Sequence, residues 1–132
     1  METIHAAVGI IIDKENRVLV DCRPNHWEMS GFWEFPGGKL EPKETVQQAL
    51  TRELKEEIGI TVLTAEPLIQ VKLTLPKRHL ILDAWQVLQY NGQAQSLEGQ
   101  ELRWVNAQEL QALKMLESNQ QILDVLCQKL KF

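Results

Sequence analysis

Between Thr45 and Gly59 the chain carries a helix whose ends and buried face can both be read from the sequence, and nearly everything around it reads as strand. Thr45 with Gln48 three residues later is a capping-box pair, and Gly59 stands where a C′ glycine ends a helix. Leu50, Leu54 and Ile58 form the stripe by which this helix must pack. Strands are expected over residues 6–13, 17–22, 33–35, 60–75, 78–88 and 102–105. The first is apolar almost throughout, which is expected of a strand buried on both faces. Turns are expected at 13–16, at Pro76-Lys77 and at Asn91-Gly92. Asn106 with Glu109 caps a second helix running to Leu113, and Ile122, Leu123, Leu126 and Leu130 mark a last amphipathic one. The expectation is a mixed α/β (α+β) chain, one domain over residues 1–132, with strand order left open.

The 132 residues are 44% apolar and 24% charged, an ordinary balance for a globular domain. A net charge of -4 argues against non-specific nucleic-acid binding, which needs a basic surface. Cys22 and Cys127 have no His or Cys neighbour at ligand spacing and are expected as reduced thiols, in keeping with a cytoplasmic protein. No apolar run is long enough for a bilayer span, and the N-terminus lacks the basic start of a signal peptide. His5, His26 and His79 are not spaced as a metal cluster, and Trp85 and Trp104 are expected to pack the core.

At about 100° per residue, Glu53, Glu56 and Glu57 fall within an arc of roughly 100° on the 45–58 helix. Glu44, just before the helix, can fold back to the same face. A solvated acidic surface with an Arg52–Glu56 ion pair is the plain alternative. It fits poorly, because Glu53 and Glu57 are like charges at i,i+4 and the sector, shared with Val46 and Ala49, borders the apolar stripe. Carboxylates at a core edge need cations or raised pKa values, and oxygen-only donors suit Mg²⁺ or Mn²⁺. Just upstream, Gly37-Gly38 either forms a plain turn or lets the backbone approach a ligand closely.

Gly38, Glu44, Arg52, Glu53, Leu54, Glu56, Glu57, Gly59 and Ile60 reproduce the Nudix box, GX5EX7REUXEEXGU, over residues 38–60. The chain thereby resembles the Nudix hydrolase family, and the segments 7–11, 34–39 and 98–100 resemble its MutT-type members. That resemblance implies an α/β/α sandwich with a mixed sheet and a Mg²⁺-dependent enzyme, Mn²⁺ being a possible substitute. The implied reaction hydrolyses 8-oxo-dGTP to 8-oxo-dGMP and pyrophosphate, in the service of nucleotide-pool sanitation. It further implies Glu53, Glu56, Glu57 and Glu98 as metal ligands with the Gly37 carbonyl, and Arg52 and Glu44 as partners that hold the carboxylates. Either Glu53 or Glu98 serves as general base.

By the same resemblance Arg23, Phe35, Lys39, Arg78 and Asn119 contact the nucleotide, Arg23 at the α-phosphate and Asn119 at the purine edge. Each has a plainer alternative: surface charge for Arg23, core packing for Phe35, a solvated turn for Arg78, a cap on the last helix for Asn119. The 24–32 loop, with His26, Trp27 and Gly31, and the 108–116 segment depart from the MutT pattern. The expected partner is a small nucleotide, with no nucleic acid or membrane, acting on a monomer. Rival readings are a Nudix pyrophosphohydrolase of another nucleotide or a nucleotide sugar, and a non-catalytic Nudix-fold binding module.

Overall fold

The computed structural model describes residues 1–24 and 30–129. Its strands are β1 (Glu2–Ile10), β2 (Val18–Cys22), β3 (Trp33–Glu34), β4 (Gly37–Lys39), β5 (Thr61–Leu75), β6 (Arg78–Asn91) and β7 (Glu101–Val105). Its helices are α1 (Val46–Ile58), α2 (Ala107–Ala112) and α3 (Gln120–Lys129), with a 3₁₀ turn at Glu117–Asn119 before the last. Thr45 and Gln48 close the capping box of α1, and Gly59 ends it at φ +73°, a left-handed conformation that costs glycine little. Asn106 and Glu109 repeat the capping box on α2. Leu130 of the expected last helix lies outside the described residues, as do His26 and Trp27.

Two sheets form among the described residues. The larger is mixed, in the order β4-β1-β6-β5, with β1 parallel to β6 and the other pairs antiparallel. The smaller, β3-β2-β7, is antiparallel, and nothing in the sequence pattern had separated it from the first. Strand β1 starts at Glu2, earlier than its apolar run, because its first residues pair with Arg78 and His79 at the start of β6. The Gly37-Gly38 pair is no turn: it lies in β4, opposite Val8 and Ala7.

Alternation along β1 and β2 sorts the core into two layers. Val8, Ile10, Val18 and Val20 pack with Ile122 and Leu126 of α3. Ala7, Ile11 and Leu19 pack on the other side with Leu50, Leu54 and Ile58 of α1. Helices on both faces of a mixed sheet make the α/β/α sandwich, and Trp85 and Trp104 border the α1 layer as half-buried residues. The carboxylate-bearing edge of α1 is thereby turned toward β2 and β4.

Candidate active site

Arg52 organises one side of the helical carboxylates. Its Nε and Nη2 donate to the two oxygens of Glu44 at 2.8 and 2.9 Å, and its Nη1 donates to Glu53 at 2.8 Å and Glu56 at 3.4 Å. Nη2 also reaches the carbonyl of Lys39 at 3.0 Å, which ties α1 to β4. These bonds, with the Glu41 amide, hold the Glu44 carboxyl down at about 2. On the other side, Oε2 of Glu57 accepts from the Gly37 amide at 3.3 Å. A Cβ on Gly38 would run into the Glu53 carboxyl, and one on Gly37 into the Ala7 carbonyl. Both glycines are therefore present for close approach rather than for turning the chain.

Glu57 is buried, which alone disfavours its charge. Burial first, then contact with Asp21, pushes it up to about 10. Asp21, also buried, rises to about 7 for the same first reason. The two carboxyls titrate as a pair and can bond to each other only by sharing a proton. Glu34 lies directly opposite Asp21 across β2 and β3, and is also raised by burial while Arg23 Nε donates to it at 2.7 Å.

Glu98 sits on the loop before β7, and Gln100 holds that loop against the end of α1. Its Nε2 donates to the Glu57 carbonyl at 3.1 Å, while its Oε1 accepts from the Glu98 amide at 3.0 Å. The negative charge of Glu98 is felt at both Asp21 and Glu57. Gln100 stands in the 98–100 motif but was not read as a site residue; its burial was the information lacking. Asp21 was missed too, although the pattern Val18-Leu19-Val20-Asp21 puts a carboxylate on the α1-facing side of a strand where an apolar residue belongs.

Beside these carboxylates opens a cavity of about 440 Å³. Arg23, Phe35, Gly37, Lys39, Arg78 and Asn119, all drawn from distant stretches of sequence, line it. Apolar walls come from Ala6, Val8, Leu80 and Leu82 of β1 and β6. Asn119, just before α3, is buried; its Oδ1 accepts from the Phe35 amide at 3.3 Å and its Nδ2 donates to Ser118. Arg78 is exposed at the rim, and Phe35 is at once core and pocket wall.

Sequence comparison with protein families matches the NUDIX domain over residues 7–125. The chain belongs to the Nudix family. Among its relatives, the 8-oxo-dGTP diphosphatase of Proteus vulgaris is 46% identical over 96 residues, 73% of this chain and 86% of that protein. The CTP pyrophosphohydrolase of Escherichia coli K12 is 38% identical over 102 residues, 77% of this chain and 76% of that one. A MutT structure from work on Aliivibrio salmonicida and Vibrio cholerae superposes with a TM-score of 0.83 at 36% identity, covering 96% of this Nudix chain and 99% of that one.

As they stand, no three His, Cys, Asp or Glu side chains among the described residues are gathered into a coordination sphere. The donors nevertheless fit a hard divalent ion: the Nudix-box carboxylates are all oxygen ligands, Glu57 is buried, and Arg52 leaves the outer face of Glu53 against Gly38. No helix among the described residues is long and apolar enough to cross a membrane.

Proposed function

We propose that this Nudix hydrolase is a Mg²⁺-dependent nucleoside triphosphate pyrophosphohydrolase that converts 8-oxo-dGTP to 8-oxo-dGMP and pyrophosphate. The observation that carries the reading is the junction at Gly37 and Gly38. These two residues line the cavity and touch Glu57 and Glu53. A base bound in the cavity therefore has its phosphates directed at the box carboxylates. A cleft of this size suits a mononucleotide.

In this reading the cation, Mg²⁺ or Mn²⁺, sits among Glu53, Glu56, Glu57, Glu98 and the Gly37 carbonyl. When bound it neutralises phosphate oxygens and lowers the pKa of an attacking water. Arg52, itself gripped by Glu44, would hold Glu53 and Glu56 in place for the ion on a helix already capped at both ends. Glu53 and Glu98 are the two candidates for the base that takes the proton from water. Arg23, kept in place by Glu34, faces the α-phosphate, and Lys39 and Arg78 offer further cations. Phe35 lies against the purine, and the Asn119 amide reads its edge with donor and acceptor together. Oxidation at C8 turns N7 from acceptor to donor, a change that a hydrogen-bonding pocket can discriminate strongly. The chain acts in this reading as a monomeric, single-domain cytoplasmic enzyme.

Similarity to the CTP pyrophosphohydrolase supports a second reading, in which the preferred base is a pyrimidine. Steady-state hydrolysis of 8-oxo-dGTP, dGTP, CTP and ADP-ribose in Mg²⁺, with product identification, separates the two. A large kcat/KM preference for 8-oxo-dGTP with pyrophosphate as product is expected. Preference for CTP selects the second reading, and turnover of ADP-ribose alone discards both. Binding of 8-oxo-dGTP without any product would point to a non-catalytic module.

A further inference from the structure

We infer that Asp21 is an additional ligand of the metal centre, an oxygen donor reaching the cation from the sheet side opposite Glu57. The inference rests on the Nudix-box metal reading above and adds to it a carboxylate from outside the box.

Strand β2 crosses under the carboxylate edge of α1, and alternation divides its side chains: Val18 and Val20 enter the α3 layer, Leu19 the α1 layer. Asp21 continues the Leu19 side, so a charged group occupies a position whose predecessor packs on Leu50 and Leu54. It is only 3% exposed. Its Oδ2 is the one buried side-chain polar atom among the described residues without a hydrogen-bond partner. An unpaired buried carboxylate oxygen is costly, and native structures rarely leave one without a donor or an ion.

Of the four charged or titratable groups that act on Asp21, three are carboxyls and only Arg23 is basic. Glu57 stands against Asp21, Glu34 pairs with it directly across β2–β3, and the charge of Glu98 reaches it. Like charges directly opposite on adjacent strands destabilise a sheet. Arg23 compensates Glu34, to which it donates at 2.7 Å. A divalent ion held by Glu57 and Glu98 would give Asp21 Oδ2 a partner, and all its donors would be hard oxygens.

Mn²⁺ binding without nucleotide tests this, measured by electron paramagnetic resonance and calorimetry on the wild type, Asp21→Asn, Asp21→Ser and Glu57→Gln, with melting curves in EDTA alongside. Both Asp21 variants should bind Mn²⁺ about tenfold or more weakly than the wild type. In EDTA, Asp21→Asn should melt no lower than the wild type, because an amide of the same shape is cheaper to bury among carboxyls than another carboxyl. Wild-type Mn²⁺ affinity in both Asp21 variants, with Glu57→Gln impaired, overturns the inference and leaves the box reading intact. Wild-type affinity in Glu57→Gln overturns the box reading and the inference with it. If both Asp21 variants lose their fold in EDTA, Asp21 is a structural residue and the inference also falls.

Discussion

Arg52 grips Glu44 with two parallel hydrogen bonds of 2.8 and 2.9 Å across eight residues of sequence, and with its remaining nitrogen holds Glu53. The fork geometry belongs to a guanidinium, and a lysine ammonium cannot bridge these partners at once. Arg52→Lys should therefore keep its charge and fold yet lose activity by about tenfold to a hundredfold, the usual effect of removing a partner that orients metal ligands. Steady-state kinetics with circular dichroism on the same samples checks it. Near-normal turnover would remove Arg52 from the machinery.

Adjacent glycines should fail in different ways. In Gly38→Ala the three atoms nearest the new methyl all belong to the end of the Glu53 side chain, which can swing aside. Melting temperature should hardly move, while displacement of Glu53 should lower kcat by roughly a hundredfold. In Gly37→Ala the methyl meets the backbone at Ala7, on a residue with φ +152°. That change should cost about 1–3 kcal/mol of stability, read from urea unfolding.

Discrimination between bases should depend on Asn119, whose amide is oriented by the Phe35 N–H and by Ser118. Asn119→Ala removes the polar group while leaving the phosphate end of the cavity untouched. The kcat/KM ratio of 8-oxo-dGTP to dGTP should drop by about tenfold to a hundredfold, the scale of an unmade buried hydrogen bond. An unchanged ratio would place base recognition elsewhere.

The raised Glu57 carboxyl sets the pH response of the metal-free protein. Its value climbs from 4.5 to about 10 on folding, so its contribution to stability is complete below about 4.5 and is lost as pH rises toward 10. Glu44, lowered to about 2, acts in the opposite sense only below about 4.5 and so outside this window. In EDTA the melting temperature should accordingly rise as pH falls from about 9 to about 6. Saturating Mg²⁺ should flatten that slope, and its binding at neutral pH should release on the order of one proton, measurable by calorimetry in two buffers of different ionisation enthalpy. Metal binding with no proton release would mean that Glu57 is already ionised.

Local chemistry made much of this molecule legible in advance. Caps at Thr45, Gly59 and Asn106 act within a few residues, so they mark helix ends in any tertiary setting. The 3.6-residue period likewise put Glu53, Glu56 and Glu57 on one edge of α1 before any partner was known. Spacing within the box was enough to identify the family.

Tertiary structure alone decided what those carboxylates face. The separation of β3-β2-β7 from the larger sheet depends on long-range pairing, which no local pattern encodes. Gly37 and Gly38 became a strand because β1 lay beside them, and Asn119 reached Phe35 because residues 113–116 are stitched to β3 through the Lys114 carbonyl and the Leu116 amide. Asp21 is the sharpest case. Its side follows from the two-residue period of a strand, but whether a charge there meets water, a partner or an ion depends on the element packed above it. In this fold that element is the carboxylate edge of α1, and burial against Glu57 lifts this aspartate above the ordinary carboxylate range.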